Sequence, residues 1–357
     1  MLKLLPYSSL IALLVLINQV TFSQEKELSD ELKTAIETPR LARILFYNCE
    51  NLFDTKDDSL TSDEEFLPDG DRNWSQKRYI EKSNRIAKVI TAVGGWKPPE
   101  LVGLCEIENR SVLNYLTKST PLYAFNYKII HKESPDARGI DVALLYQPNQ
   151  FKPVATKYIS INYPFTDHKT RDILYTKGIL SNDDTLHVFV NHWPSRYGGQ
   201  LESEKNRFFV ASVLKSVTDS ICQSNPNALI VIVGDFNDEP NNQSLLKILE
   251  ANPQFDSLKN PQLINLSYRL QFEKNQGTYK YQSHWGILDQ LIVSGSLLEG
   301  REKTFTTMEH AFIYKAPFLM KPDDTYLGEK PFRTFTGFKY NGGYSDHLPV
   351  FIDLLEK

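Results

Sequence analysis

The hydrophobic residues of this chain fall in short runs that end at clusters of polar ones. Residues 229–233 read LIVIV, five apolar side chains rich in β-branched types, and predict a strand buried on both faces. Gly234 then opens the chain, and Asp235, Asn237, Asp238 and Glu239 follow before Pro240 removes a backbone donor. Similar runs at 42–47, 101–105, 127–130, 142–146, 288–293 and 348–354 predict further strands. Residues 171–181 and 185–191 flank Asn182-Asp183-Asp184 and predict a hairpin. Tyr79, Ile86, Ile90 and Val93 recur at helical spacing up to Gly94-Gly95, and Phe208, Val210, Ala211 and Leu214 predict a second helix. Residues 56–71 are acidic and aperiodic, a surface loop. Strands mixed with a few helices, with a hairpin among them, make this an α/β chain whose sheets are not purely parallel. Residues 41–357 contain no repeat and no linker, so one domain is expected there.

The first residues have a different character. Residues 1–23 carry Lys3, an apolar run over 10–20 broken only by Asn18 and Gln19, and then Thr21-Phe22-Ser23. This is the pattern of a secretory signal peptide cut between Ser23 and Gln24, and it predicts a secreted or periplasmic protein. An uncleaved anchor is the alternative, but the apolar core is shorter than the ~20 residues a spanning helix needs. Residues 24–40 are charged and only weakly periodic, and read as a linker.

Composition narrows the classes further. The formal net charge is -4, and losing Lys3 with the leader brings it to -5. A mildly acidic chain has no broad electrostatic grip on nucleic acid, although bound divalent cations can offset acidic ligands locally. Three cysteines are too few for a disulfide scaffold. Cys49 and Cys105 lie in strand-like runs, where small buried side chains are expected.

Chemistry gathers at the strand ends. Asn48 and Glu50, Glu106, Asn191 and His192, Asp235 and Asn237, and Tyr344-Ser345-Asp346-His347 each close an apolar run, and Asp289 lies inside another. Taken singly, such residues are ordinary turn formers or surface groups. Together they supply oxygen ligands without thiolates, which suits a hard cation such as Mg²⁺. They also supply groups to activate water, bind phosphate oxygens and stabilise a leaving oxygen.

The segments YNCENLF, LVGLCEIEN, RGIDVALLY, VNHWPSR, VGDFNDEP, LDQLIVS and YSDHLPV, in that order, resemble the signature of the endonuclease/exonuclease/phosphatase superfamily, in its deoxyribonuclease-like branch. The resemblance implies a two-sheet mixed β-sandwich flanked by helices, a four-layer αββα arrangement, over residues 41–357. It implies metal-side roles for Asn48, Glu50, Glu106 and Asp346. Asp235 and Asn237 correspond to the pair that orients water and phosphate, His347 to the histidine at the scissile phosphate, and Asp289 to the carboxylate that fixes its tautomer. His192 resembles the second histidine of the deoxyribonuclease-like branch. Arg171 and Arg196 are candidate phosphate ligands, Arg138 a weaker one, and Asp141 reads as structural.

The expectation is a secreted phosphodiesterase dependent on Mg²⁺, with Mn²⁺ or Ca²⁺ as alternatives, acting as an endonuclease on extracellular DNA or RNA. A phospholipid or inositol-phosphate phosphoesterase is the alternative enzyme, and a non-catalytic binding module the alternative from another class. Residues 316–320 (APFLM) are the best candidate for a lipid-facing loop, and the aromatic stretch 331–344 is expected to pack rather than to stack on bases.

Overall fold

A computed structural model describes residues 29–95, 97–196, 198–256 and 262–357; the leader expected at 1–23 lies outside them. In chain order the strands begin with β1 (Ala42–Leu52), β2 (Leu101–Ile107), β3 (Lys128–His131), β4 (Asp141–Tyr146), β5 (Phe151–Ile159), β6 (Ile173–Leu180), β7 (Thr185–His192) and β8 (Leu229–Asp235). Then come β9 (Ala251–Asn252), β10 (Leu263–Asn265), β11 (Tyr279–Tyr281), β12 (His284–Gly286), β13 (Asp289–Ser294), β14 (Thr304–Phe305) and β15 (Ala311–Ile313). Two small hairpins, β16 (Met320–Pro322) with β17 (Glu329–Pro331) and β18 (Phe335–Thr336) with β19 (Lys339–Tyr340), precede β20 (Val350–Glu356). One sheet has the order β14-β20-β1-β2-β4-β3, with β15 also on β20; the other runs β5-β6-β7-β8-β13-β10-β9.

Each sheet has one parallel pair near its centre, β1 with β2 and β7 with β8. A parallel pair needs a long crossover. Helix α2 (Gln76–Gly94) supplies the first and α4 (Gln200–Ser224) the second; α1 (Asp30–Glu37) and α3 (Arg110–Lys118) complete the helices used below. The apolar run of β8 is explained by these layers. Val231 and Val233 join Val188, Val190, Leu291 and Val293 in the core between the sheets. Ile230 and Ile232, on the opposite face, join Phe189 and the α4 residues Val210, Ala211 and Leu214. Each fully buried aliphatic side chain contributes about 1.5–3 kcal/mol before chain entropy is counted. Gly103 of β2 marks how closely the sheets meet: a Cβ there would lie 3.1 Å from Val233 and 3.2 Å from Phe46.

The expected two-sheet sandwich is therefore observed, with three differences. Part of the stretch read as a linker is helix α1, capped by Ser29, with Leu32 and Ala35 buried and the Ala35 carbonyl accepting from Arg43 at 2.8 Å. Its few apolar positions hid the amphipathic face. Helix α3 and strand β5 were not anticipated, and β5 is an edge strand exposed along most of its length, without alternation to betray it. Residues 316–320 do not form an apolar tip: Ala316, Leu319 and Met320 are buried and Phe318 packs on Tyr344 with centroids 5.1 Å apart. The stretch 331–344 packs as expected, Phe335 lying against Phe66 and Trp74. All three cysteines are buried and free. Among the described residues no helix is long and apolar enough to cross a membrane.

Candidate active site

Two β-bulges shape one wall of the site. The parallel register of β1 and β2 slips between Asn48 and Leu52, and that of β2 with β4 slips between Cys105 and Ile107. The residues at the slips are left-handed: Glu50 at φ 49°, Asn51 at 59° and Glu106 at 57°. Such a conformation costs roughly 1–3 kcal/mol at a non-glycine residue and clusters at functional sites. It takes Glu106 out of strand alternation. One carboxylate oxygen accepts from Asn48 Nδ2 at 3.2 Å and the other from the Asn51 N–H at 2.8 Å.

The other wall is a matter of register. His192 of β7 pairs with Asp235 of β8, and Asp235 pairs with Asp289 of β13, so three residues far apart in the chain lie in one row. Gly234 permits the close approach behind them, because a Cβ there would lie 2.5 Å from the Asn191 carbonyl oxygen. His347 arrives from the last loop. Ser345 Oγ donates to the Asn48 carbonyl at 2.8 Å and accepts from the His347 N–H at 3.1 Å, while the Leu348 N–H donates to the Thr278 carbonyl at 2.8 Å.

His347 Nδ1 lies 2.7 Å from Asp289 Oδ2, and its Nε2 lies 3.8 Å from Asp235 Oδ2. Burial opposes charge on this ring, but the carboxylates of Asp289 and Asp235 outweigh burial and hold its pKa well above the usual histidine value. Burial pushes Asp235 up to about 6, against the pull of His347. His192 Nε2 is 3.9 Å from both Glu106 Oε1 and Asp235 Oδ2. Its burial, aided by the charges of Arg171, Arg138 and His347, holds it well below the usual value. The surroundings thus favour the charged form of His347 and the neutral form of His192.

A cavity of about 710 Å³ opens over these groups. Of the residues expected at the site, Glu106, His192, Arg196, Asp235, Asn237, Asp346 and His347 line it, and so does Arg138. Asn48 bridges Glu106 and Asp235 with the two protons of one amide nitrogen, at 3.2 and 3.1 Å. Its oxygen accepts from the Glu50 N–H at 2.8 Å, so it presents a donor to the carboxylates rather than a metal-binding oxygen. Asp289 is fully buried behind His347.

Glu50 and Arg171 do not line the cavity. The bulge turns Glu50 inward, where it accepts from the N–H groups of Thr334 and Phe335 and sits 3.9 Å from the buried Lys82 ammonium. It anchors the 331–344 segment and does not reach the cavity, where a metal-side role was expected of it. Arg171 is buried as well, donating to Asp136 Oδ2 at 2.9 Å and to the Trp193 carbonyl at 2.5 Å, so it is no direct phosphate ligand. Asp141 lies outside the cavity lining, accepting from Ser134 and lying 2.9 Å from His131 Nε2.

Sequence reasoning missed Tyr279, Tyr281, His284 and Gln200, which line the cavity, and Arg333, which donates to Asp346 at 2.9 Å. No local pattern distinguishes them. Glu239, to which no role was given, also lines the cavity and accepts from Gln271 at 2.6 Å, whereas its neighbour Asp238 is buried against Arg207.

The donor set can be judged for a metal. Glu106 and Asp346 reach the cavity as carboxylates, and no cysteine is among its lining residues, which fits a hard divalent cation. Asp235, Asp289 and His347 also form a compact group. Because His347 Nδ1 is bonded to Asp289, that trio is better suited to moving protons than to ligating an ion.

A two-sheet sandwich with carboxylates, an amide and two unlike histidines converging on one cavity defines a metal-dependent phosphoester hydrolase. The chain belongs to the Endonuclease/Exonuclease/phosphatase family, whose model matches residues 43–357. No curated protein sequence matches it. Among solved structures, a humanized TDP2 of D. rerio is similar with TM-score 0.55 at 13% identity, covering 88% of this chain and 98% of that one. A mannosyl-6-phosphatase of Bacteroides thetaiotaomicron is similar with TM-score 0.54 at 14% identity, covering 88% and 99%. The human Nocturnin catalytic domain, solved with a bound sulfate anion, is similar with TM-score 0.52 at 17% identity, covering 89% and 96%. At these identities the likeness is one of fold.

Proposed function

We propose that the chain is an exported, Mg²⁺-dependent phosphodiesterase that hydrolyses nucleic acid. The observation that carries the reading is geometric: His347 Nδ1 is held by Asp289 at 2.7 Å while its Nε2 lies 3.8 Å from the buried carboxylate of Asp235. Asp235 aligns the attacking water and takes its proton, and Asn237 positions that water against the phosphorus. His347 faces the phosphate with Nε2–H, neutralises a non-bridging oxygen and delivers a proton to the leaving oxygen. His192, neutral and 3.9 Å from Asp235 and Glu106, orients the same phosphate through Nε2. Glu106 and Asp346 would hold the Mg²⁺, which would supply Lewis-acid polarisation of the phosphoryl group when bound.

The nucleic-acid reading rests on the cavity rim. Arg138 and Arg196 bring positive charge to an otherwise acidic chain, and Tyr279 and Tyr281 offer ring faces on which a base stacks. A volume of about 710 Å³ falls in the range of roughly 300–1,000 Å³ that encloses small ligands, which favours a single strand over a duplex. A D. rerio TDP2 with a similar fold was solved with a single strand DNA product. A sugar-phosphate monoesterase is the second reading, favoured by the polar lining of Ser195, Gln200 and Glu239 and by the fold shared with the mannosyl-6-phosphatase. The phospholipid reading loses residues 316–320 as an apolar tip, because Ala316, Leu319 and Met320 are buried.

The test is a substrate panel with the mature protein: single-stranded DNA and RNA, supercoiled plasmid, a chromogenic bis-phosphodiester and mannose 6-phosphate, each with Mg²⁺ and with EDTA. Single strands and the bis-diester should be cleaved and EDTA should stop the reaction. Turnover of the sugar phosphate with no diester cleaved would sink the diesterase reading. Export predicts that the mature protein begins at Gln24, which mass spectrometry of the exported fraction decides; an intact leader there would refute cleavage.

A further inference from the structure

Arg171 is a guanidinium only 5% exposed, lying behind the cavity rather than in it. Both of its terminal nitrogens are spent on specific partners. One donates to Asp136 Oδ2 at 2.9 Å. The other donates to the Trp193 carbonyl at 2.5 Å. That same carbonyl accepts from Asn237 Nδ2 at 3.0 Å. A carbonyl oxygen has two lone pairs, and here one is held by a buried cation and the other by a cavity residue. With its nitrogen tied to Trp193, Asn237 has its side-chain oxygen left for the cavity. The Asn237 backbone sits at φ 51°, a strained conformation that surrounding contacts must hold. Those contacts are its own N–H on Asp235 Oδ1 at 2.9 Å and Arg196 Nε on its carbonyl at 2.7 Å.

The other arm of Arg171 leads to a second cavity residue. Asp136 is buried, and its Oδ1 accepts from the Arg138 N–H at 3.0 Å and lies 3.6 Å from Arg138 Nε. Arg138 lines the cavity with a side chain 48% exposed. One buried cation thus joins two cavity groups carried by different loops: Asn237 through Trp193, and Arg138 through Asp136.

We propose that Arg171 is a positioning residue that sets the amide of Asn237 and the guanidinium of Arg138, and that it binds no phosphate itself. This rests on the phosphoesterase reading of the cavity, and it assigns the phosphate contacts to the two arginines that do reach it, Arg138 and Arg196. A buried cation acting through a shared carbonyl has a signature that neither a phosphate ligand nor a purely structural ion pair has. A variant that loses the Trp193 arm and keeps the Asp136 arm, and with it Arg138, acts on turnover through Asn237 alone, so its effect vanishes once Asn237 is gone.

The experiment is a double-mutant cycle of R171K and N237A, with the chromogenic bis-phosphodiester and Mg²⁺ for turnover and inorganic phosphate as the binding probe. Lysine keeps the charge opposite Asp136 and gives up the second planar N–H, so R171K should fold. A small misplacement of a catalytic group lowers kcat by as much as ~10²-fold, and R171K should lose about ten- to a hundredfold. Its dissociation constant for inorganic phosphate should stay within about twofold, and adding R171K to N237A should change kcat less than about threefold. Weakened phosphate binding in R171K, or losses that multiply in the double variant, would overturn the proposal. Independently of turnover, the Asn237 side-chain amide resonance, assigned by its loss in N237A, should move in R171K, and an unchanged resonance refutes the link. A wild-type protein that binds phosphate but leaves every diester intact would instead sink the diesterase reading, with the amide resonance and phosphate binding still deciding the role of Arg171.

Discussion

Replacing Asp289 with Asn tests the centre of the mechanism. Asp289 is fully buried, His347 is 7% exposed, and their facing atoms are 2.7 Å apart. At an effective dielectric near 20, Coulomb's law gives an attraction of about 6 kcal/mol at that separation. Desolvation of both groups offsets much of this, and breaking a buried pair costs about 3–5 kcal/mol. If that loss is felt in the transition state, kcat falls about 10²- to 10⁴-fold. The pH dependence carries a second signature. The folded pKa of His347 lies above its unfolded value, so the stability it contributes is fully present below the unfolded pKa and is lost as pH rises through the folded pKa. D289N should therefore be most destabilised relative to wild type near pH 6, and the gap should close at alkaline pH. The measurements are kcat on the bis-phosphodiester and urea unfolding of both proteins between about pH 5 and 9. A kcat within tenfold of wild type, roughly 1.4 kcal/mol, in a folded D289N would refute the dyad.

Three further outcomes follow from the same geometry. Glu106→Gln removes the charge and keeps an acceptor for only one of the two donors, Asn48 Nδ2 and the Asn51 N–H, so Mg²⁺ titration should show affinity weakened by about tenfold or more in a protein that still folds; unaltered Mg²⁺ affinity would remove Glu106 from the metal site. Gly234→Ala would set a methyl 2.5 Å from the Asn191 carbonyl oxygen, and this overpacking should cost about 1–3 kcal/mol in urea unfolding and displace His192; a neutral change would show that β7 and β8 separate easily. His187, on the outer face of β7 with Nδ1 2.8 Å from the Tyr175 hydroxyl, is pushed down to about 4 by burial. Its neutral form is the one the fold accepts, so stability should fall as pH drops from about 6.5 to 4, by at most about 3 kcal/mol; His187→Gln should flatten that limb, and an equally steep limb in the variant would exclude His187 as its cause.

Much of the fold is legible in the chain. The apolar runs ending at Asn48, Cys105, Asn191 and Asp235 become β1, β2, β7 and β8, because a strand covered on both faces has no polar positions to interrupt it. The same pattern marks the polar ends, since a central strand stops where its side chains reach water or a ligand. The edge strand β5 and the docked helix α1 escape notice for the converse reason: little of either is buried, so little of either is written in hydrophobicity.

The sequence alone determined which residue types stand at the strand ends, and in what order. Which of them face one another was decided by tertiary structure. His192, Asp235 and Asp289 meet because β7, β8 and β13 align in one register across contacts distant in the chain. Glu106 directly follows Cys105 and Glu50 lies two positions past Asn48, yet the first carboxylate reaches the cavity and the second is buried against Lys82 and Thr334. Arg171 and Arg196 are alike on paper, and only the position of Asp136 and the Trp193 carbonyl turns the first inward. The physical reason is common to all three cases. What a side chain faces is set by neighbours from other strands and loops, and at Glu50 and Glu106 by a left-handed backbone as well, and local periodicity encodes neither.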